Sequence, residues 1–284
     1  MELNSLSDLS SASSLLLQVS TLLYLFSMAG YLFFLFDQRD RIQKISFCLV
    51  ATAVGVHFLS ILATGIAAQD LPIKNMAQSL SLAALAFGCM FLYFQYKFNL
   101  KILGVFASTL LSILMLAVML VPDTPVASNE ILKGFWFVAH IVLVFTGDAS
   151  LGLACGAGIL YLIQEKGIRS KNPGFFFKRL PSLDFLDNVS YTCTTTGFTL
   201  LTFGLITGFI YAKSIWGRFW NWDFKEVFSI GTWLVYAALL HFRFHSGWRG
   251  RKSAIMTIVG FMIIIFTFLG VNIFLGGHHQ GFTK

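Results

Sequence analysis

Trp216-Gly217-Arg218-Phe219-Trp220-Asn221-Trp222-Asp223, continued by Phe224-Lys225-Glu226, places three of the chain's six tryptophans within seven residues. An apolar run of spanning length ends just before this stretch, and another begins just after it. About 20 consecutive apolar residues cross a bilayer as a helix, so 213–226 is predicted to be a short loop at a membrane surface. Aromatic belts put Trp and Tyr at that depth in any membrane protein. A belt does not ask for Trp-x-Trp-Asp with Arg218 and Lys225 interleaved. A flat, amphipathic, anionic ligand does, because aromatic faces stack on its plane and cations meet its acidic groups.

The rest of the chain agrees with a membrane location. Of 284 residues, 56% are hydrophobic and only 12% charged, with a mean hydropathy of +0.75. Those values exclude a soluble domain of this length. Apolar runs predict eight helices, at roughly 14–36, 46–68, 77–96, 102–121, 134–163, 188–212, 226–242 and 253–275. The expected fold is a single all-α, polytopic membrane domain over 1–284. Residues 1–13 are serine-rich and carry no Lys or Arg, unlike a signal peptide. The longest non-helical segment is expected at 164–187. One alternate set of loops holds 14 of the 20 bases, and the positive-inside rule makes that set cytoplasmic. Both termini and the tryptophan loop then face the periplasm or its equivalent. The net charge of +7 is thereby explained by orientation, not by nucleic-acid binding. Cys48, Cys89, Cys155 and Cys193 form no C-x-x-C pair and read as packing residues. Gly152-x-x-x-Gly156 and Gly204-x-x-x-Gly208 have the spacing of close helix contacts and by themselves indicate no chemistry.

Histidines sharpen the ligand. A polar ring inside a bilayer is costly and normally has a partner. At about 1.5 Å per residue, His57 lies roughly 16 Å from the cytoplasmic end of its helix and His241 roughly 22 Å from the outer end of its own. In a core of about 30 Å the two depths are similar. Two imidazoles at one depth suit the axial positions of a haem iron; the alternative is that each ring separately bonds a neighbouring helix. His140, just after Trp136, and His278 and His279 fall at the outer face with the tryptophan loop. They could flank a second aromatic platform, where Trp216, Trp220 and Trp222 would face the ring, with Arg218 and Lys225 as cations. His245 sits among Arg243, Trp248 and Arg249 and reads as a cytoplasmic interface residue. Asp148 is an intramembrane acid: either a functional carboxylate or a protonated one bonded to a neighbouring helix.

The run from Tyr211 to Glu226 resembles the WWD signature of haem-handling membrane proteins. Further segments are similar to the CcsA (ResC) family of system II cytochrome c biogenesis: Leu71–Ser79, Leu186–Tyr191, Thr232–His241, Gly247–Arg251 and Gly270–Asn272. The likeness spans about residue 46 to the C-terminus. It implies haem b at two sites. The inner one would be ligated by His57 and His241, the outer one by His140 and, counting from Asn272, His279. A tail reading Gly277-His278-His279-Gln280 also leaves His278 as the possible ligand. Asp223 falls within the signature and is carried with it as a binding residue. The implied task is haem transport and presentation to reduced apocytochrome c, whose C-x-x-C-H thiols take the haem covalently. The chain would be the haem-handling part of a cytochrome c synthetase (haem lyase), with a CcsB/ResB-type membrane subunit and a thiol reductant elsewhere. Its setting would be a bacterial inner membrane, or a thylakoid for a plastid type. The chain departs from the family at Lys74, Ala77, Asp148 and Phe224. The alternatives are a haem-handling protein of another pathway (HemX-like) and a di-haem electron-transfer protein. The orientation has a direct check. Single cysteines at Ser7 and Arg249 should react with an impermeant thiol reagent from opposite sides of the membrane.

Overall fold

The computed structural model describes residues 2–73, 75–121, 134–170, 174–175, 179–220 and 222–270. Among these there is no strand, and each expected apolar run is a helix. They are α1 (Glu2–Phe36), α2 (Asp40–Ala68), α3 (Met76–Phe98), α4 (Leu103–Leu120), α5 (Phe135–Arg169), α6 (Leu183–Trp216), α7 (Phe224–Ser246) and α8 (Arg251–Ile265), the last continued by a π-helical turn at Phe266–Gly270. All eight are long and apolar enough to span a bilayer. The chain is a polytopic, all-α membrane protein.

Several helices outrun their apolar pattern, for local reasons. The serine-rich start is helical from Glu2. Ser13 and Ser14 each donate their hydroxyl to a carbonyl three residues back, both at 2.8 Å, so they do not compete with the helix for backbone partners. The segment expected to be non-helical at 164–187 is shorter than that. Helix α5 continues to Arg169, which pairs with Glu165 one turn back at 2.8 Å, and α6 starts at Leu183. There Ser182 caps the helix, accepting from the Phe185 amide. Asn75 does the same for α3, accepting from the Gln78 amide at 2.9 Å.

The helices divide into two compact units, α1–α4 and α5–α8. In the first, α1 packs on α2 and α4, and α3 packs on α2 and α4. Tyr24 and Tyr31, seven residues apart on α1, are both fully buried. Serines tie the helices together: Ser27 donates to the Ser46 carbonyl at 2.8 Å, Ser60 to that of Ser13 at 2.7 Å, and Ser112 to that of Tyr24 at 3.1 Å. Such bonds matter because lipid offers these hydroxyls no alternative partner.

In the second unit the main contact is the antiparallel α5–α6 pair. His140, Val144, Gly147 and Leu151 of α5 oppose Gly208, Gly204, Leu201 and Gly197 of α6 in spacings of four, three and four residues. A Cβ on Gly197 would stand 2.7 Å from Leu151 Cγ and 2.9 Å from the Gly147 carbonyl, so the backbones meet only because both positions are glycine. Farther along, Ser150 donates to the Cys193 carbonyl at 2.7 Å and Ser190 to that of Ala154 at 3.3 Å. Helix α8 packs on α5 and α7. The opposite end from the tryptophan loop is locked by charge. Arg243 of α7 makes a two-pronged pair with Asp187 of α6, at 3.0 and 2.7 Å. Asp187 also accepts from the Gly250 amide at 2.9 Å, and the guanidinium lies 4.3 Å from the centre of the Tyr191 ring. The side chains of Arg243 and Asp187 are 10% and 13% exposed. Removing one member of such a pair strands the other charge, at a cost of about 3–5 kcal/mol. Asp187→Ala should therefore lower the melting temperature of the detergent-purified protein sharply. Asp40→Ala, which breaks a Lys101 pair with an exposed carboxylate, should change it little.

Candidate functional site

The tryptophan loop is held by its two helices. Gly217, at φ +70, ends α6 in the left-handed conformation, and its carbonyl accepts from Lys213 Nζ at 3.2 Å. The same ammonium lies 5.1 Å from the centre of the Phe219 ring. At the other side Asp223 is the N-cap of α7. Its carboxylate accepts from the Lys225 amide, and Glu226 reaches back to the Asp223 amide, a reciprocal capping box. The Asp and Glu of the motif thus fix where α7 begins. Asp223 is buried, and Lys225 is half-buried.

The rings are spread along this frame. Trp216 meets Tyr211 edge-on at 6.1 Å, and Tyr211 meets Phe137 of α5 at 5.1 Å. Trp220 sits between Phe209, at 6.1 Å, and Trp222, at 5.6 Å. Trp222 is 80% exposed. Its φ is +59, the left-handed region, which costs a residue with a Cβ about 1–2 kcal/mol. Packing within the protein offsets little of that strain, since the ring is out. A large apolar ring is thus presented outward on an unfavourable backbone. Arg218 is exposed beside it.

His140 lies one turn along α5 from Phe137, at the loop end of the α5–α6 pair. Its Nδ1 is 2.7 Å from the carbonyl oxygen of Gly204. A carbonyl only accepts, so Nδ1 carries the proton and the lone pair of the neutral ring resides on Nε2. Metal-bound histidines are held in this way, with the other ring N–H donated to a fixed acceptor. A haem iron therefore fits His140 through Nε2. The sequence offered Gly204-x-x-x-Gly208 only as a packing motif. In the structure that motif is the seat of the histidine.

The other histidines stand differently. His57, in the first unit, is fully buried. Its Nε2 is 2.8 Å from Ser81 Oγ of α3, Tyr24 meets the ring edge-on at 6.0 Å, and Nδ1 has no hydrogen-bond partner. Iron ligation through Nε2 competes with the Ser81 hydroxyl. His241, in the second unit, is exposed and stacks on His245 with ring centres 5.7 Å apart. The role of His245 as its neighbour was available from the four-residue spacing alone. Asp148 is half-buried on α5. His278, His279 and Lys74 lie outside the described residues.

Comparison with known proteins follows the same lines. Residues 15–279 match the family model described as cytochrome c assembly protein. The CcsA cytochrome c biogenesis protein of Prochlorococcus marinus strain MIT 9312 is 34% identical over 228 residues, 72% of this chain and 74% of that protein. That of Guillardia theta is 33% identical over 230 residues, 74% and 76% of the two chains. Among solved structures, the cytochrome c haem lyase CcmF superposes with a TM-score of 0.66 at 16% identity over 92% of this chain. The match covers 47% of the CcmF chain, about half its length, and at that identity it speaks for the fold. The strained tryptophan is open to experiment. Trp222→Gly accepts a positive φ without steric cost, so the variant should melt no lower than the parent while its purified form carries less haem.

Proposed function

This chain belongs to the cytochrome c assembly protein family, in its CcsA branch, and on that premise we propose that it presents haem to reduced apocytochrome c at the Trp216–Asp223 loop. Its role lies in cytochrome c maturation, at a multi-pass membrane protein. The observation that carries the reading is the bond from His140 Nδ1 to the Gly204 carbonyl, which prepares Nε2 to hold iron at the end of the molecule where the tryptophans gather.

Haem b is here a substrate, taken up and passed on. His140 supplies one axial nitrogen. His279, or His278 beside it, supplies the other. Trp216, Trp220 and Trp222 offer aromatic faces, and Arg218 and Lys225 offer positive charge to the propionates. Two imidazoles keep the iron low-spin and closed to oxygen. His57 and His241 are the proposed inner ligands, by their sequence positions and the family likeness. Binding through His57 Nε2 displaces Ser81, whereas binding through the unpartnered Nδ1 keeps it. Asp223 serves the site by fixing the start of α7 next to Trp222.

Delivery is completed when the C-x-x-C-H thiols of the acceptor add across the haem vinyl groups and its histidine replaces one imidazole. A CcsB/ResB-type subunit completes the synthetase. The four cysteines of this chain form no disulfide, two buried and two exposed and far apart in sequence, and the reading assigns reduction of the acceptor to another protein. Loop and termini face the periplasm of a bacterial cytoplasmic membrane, or the lumen of a thylakoid. A glycine in place of a ligand near solvent leaves a vacancy that free imidazole can fill. His140→Gly should abolish cytochrome c maturation and regain part of it with imidazole in the medium. Full maturation by His140→Gly without imidazole would overturn the proposal.

A further inference from the structure

We propose that Gly204 and Gly208 are positioning residues for His140: Gly204 supplies the carbonyl that selects the ring's tautomer, and Gly208 supplies the space the ring occupies. The inference rests on His140 being the outer haem ligand. A Cβ built on Gly208 would stand 2.7 Å from His140 Nδ1 and 2.8 Å from Cε1, well inside contact distance. Any side chain there pushes the imidazole away from the α6 backbone. The bond to the Gly204 carbonyl is then stretched, since that carbonyl is fixed within α6. Gly204 is buried and needs its own bareness, because its Cβ would stand 2.8 Å from Val144 Cγ2 and 3.2 Å from the Val144 amide. Both glycines therefore act at one place, the flank of α5 from His140 to Val144.

The Gly204 carbonyl has a second donor. Thr207 Oγ1 reaches it at 2.8 Å but also reaches the Phe203 carbonyl at 3.0 Å. The threonine can use Phe203 alone, which leaves the Gly204 carbonyl to the histidine. Losing the orienting acceptor of a metal-bound histidine typically weakens metal retention about ten- to a hundred-fold. A purely packing role predicts something else: lower stability with an unchanged ring.

The test reads the ring directly. In the full chain labelled with 15N-histidine and purified in detergent without haem, the His140 signal is assigned by its loss in His140→Gly. It should show the Nδ1-protonated tautomer. An Nε2-protonated ring in the parent protein would overturn the inference with no variant needed. Gly208→Ala should shift that signal toward the other tautomer. Loaded with haem, it should lose outer-site haem at least ten-fold faster to a competing apo-globin. Gly197→Ala, which crowds Leu151 instead, should lower the melting temperature and leave tautomer and haem loss unchanged. Thr207→Val should leave both unchanged as well. With the ring removed, His140→Gly/Gly208→Ala should respond to imidazole like His140→Gly alone. Normal haem retention in Gly208→Ala while His140→Gly loses its haem would sink the positioning role only. Normal retention in His140→Gly would sink the ligand reading beneath it.

Discussion

A bilayer supplies no hydrogen-bond partners, and the arrangement of this chain follows from that shortage. Interior serines reach across to a backbone carbonyl of the neighbouring helix: Ser27 to Ser46, Ser112 to Tyr24, Ser150 to Cys193, Ser190 to Ala154. These are short donors reaching across a narrow gap, so the helices must be close. Closeness in turn needs small residues. The α5–α6 pair takes this furthest, with glycine facing glycine at Gly147 and Gly197. His140 obeys the same rule as the serines. It too donates to a carbonyl of the next helix, and what remains is an imidazole with one nitrogen committed and the other carrying the lone pair. The rule that builds the bundle also orients the histidine.

The family likeness and the geometry address different questions. The likeness says that the chain serves cytochrome c maturation and which residues to suspect. The geometry says how each suspect is held. It separates His140, oriented by a backbone acceptor, from His57, enclosed and bonded to Ser81, and from His241, exposed against His245. Three histidines of similar standing in the sequence thus have three chemical situations. It also divides the tryptophan motif by task. Trp222 is presented outward, whereas Asp223 and Glu226 are occupied with starting α7.

The eight helices were legible because 18 or more apolar residues in a row leave little else to form in lipid. Their ends were less so. Ser182, Asn75 and the Glu165–Arg169 pair extend or start helices through single local bonds that hydropathy does not weigh. The Asp223-x-x-Glu226 capping box was legible as a pattern but was overshadowed by the tryptophans next to it. The glycine pair at 204 and 208 announced a close approach without saying what approaches, since that depends on the register of a helix whose His140 lies 64 residues before Gly204. The left-handed backbone of Trp222 has no signature at all, because an L-residue with a large ring is what one would least expect there.

The Arg243–Asp187 lock has a consequence for how the second unit responds to ionic strength. Mobile ions screen charges that water reaches, over about 8 Å at physiological concentration, and hardly touch a pair that is mostly enclosed. At 10% and 13% exposure, with a backbone amide and an aromatic ring against it, this pair belongs to the second kind. Arg218, out on the tryptophan loop, belongs to the first. Salt therefore screens the exposed cation of the loop while the far end of the same four helices stays fastened. The medium can change the charge that the loop presents without loosening the framework behind it.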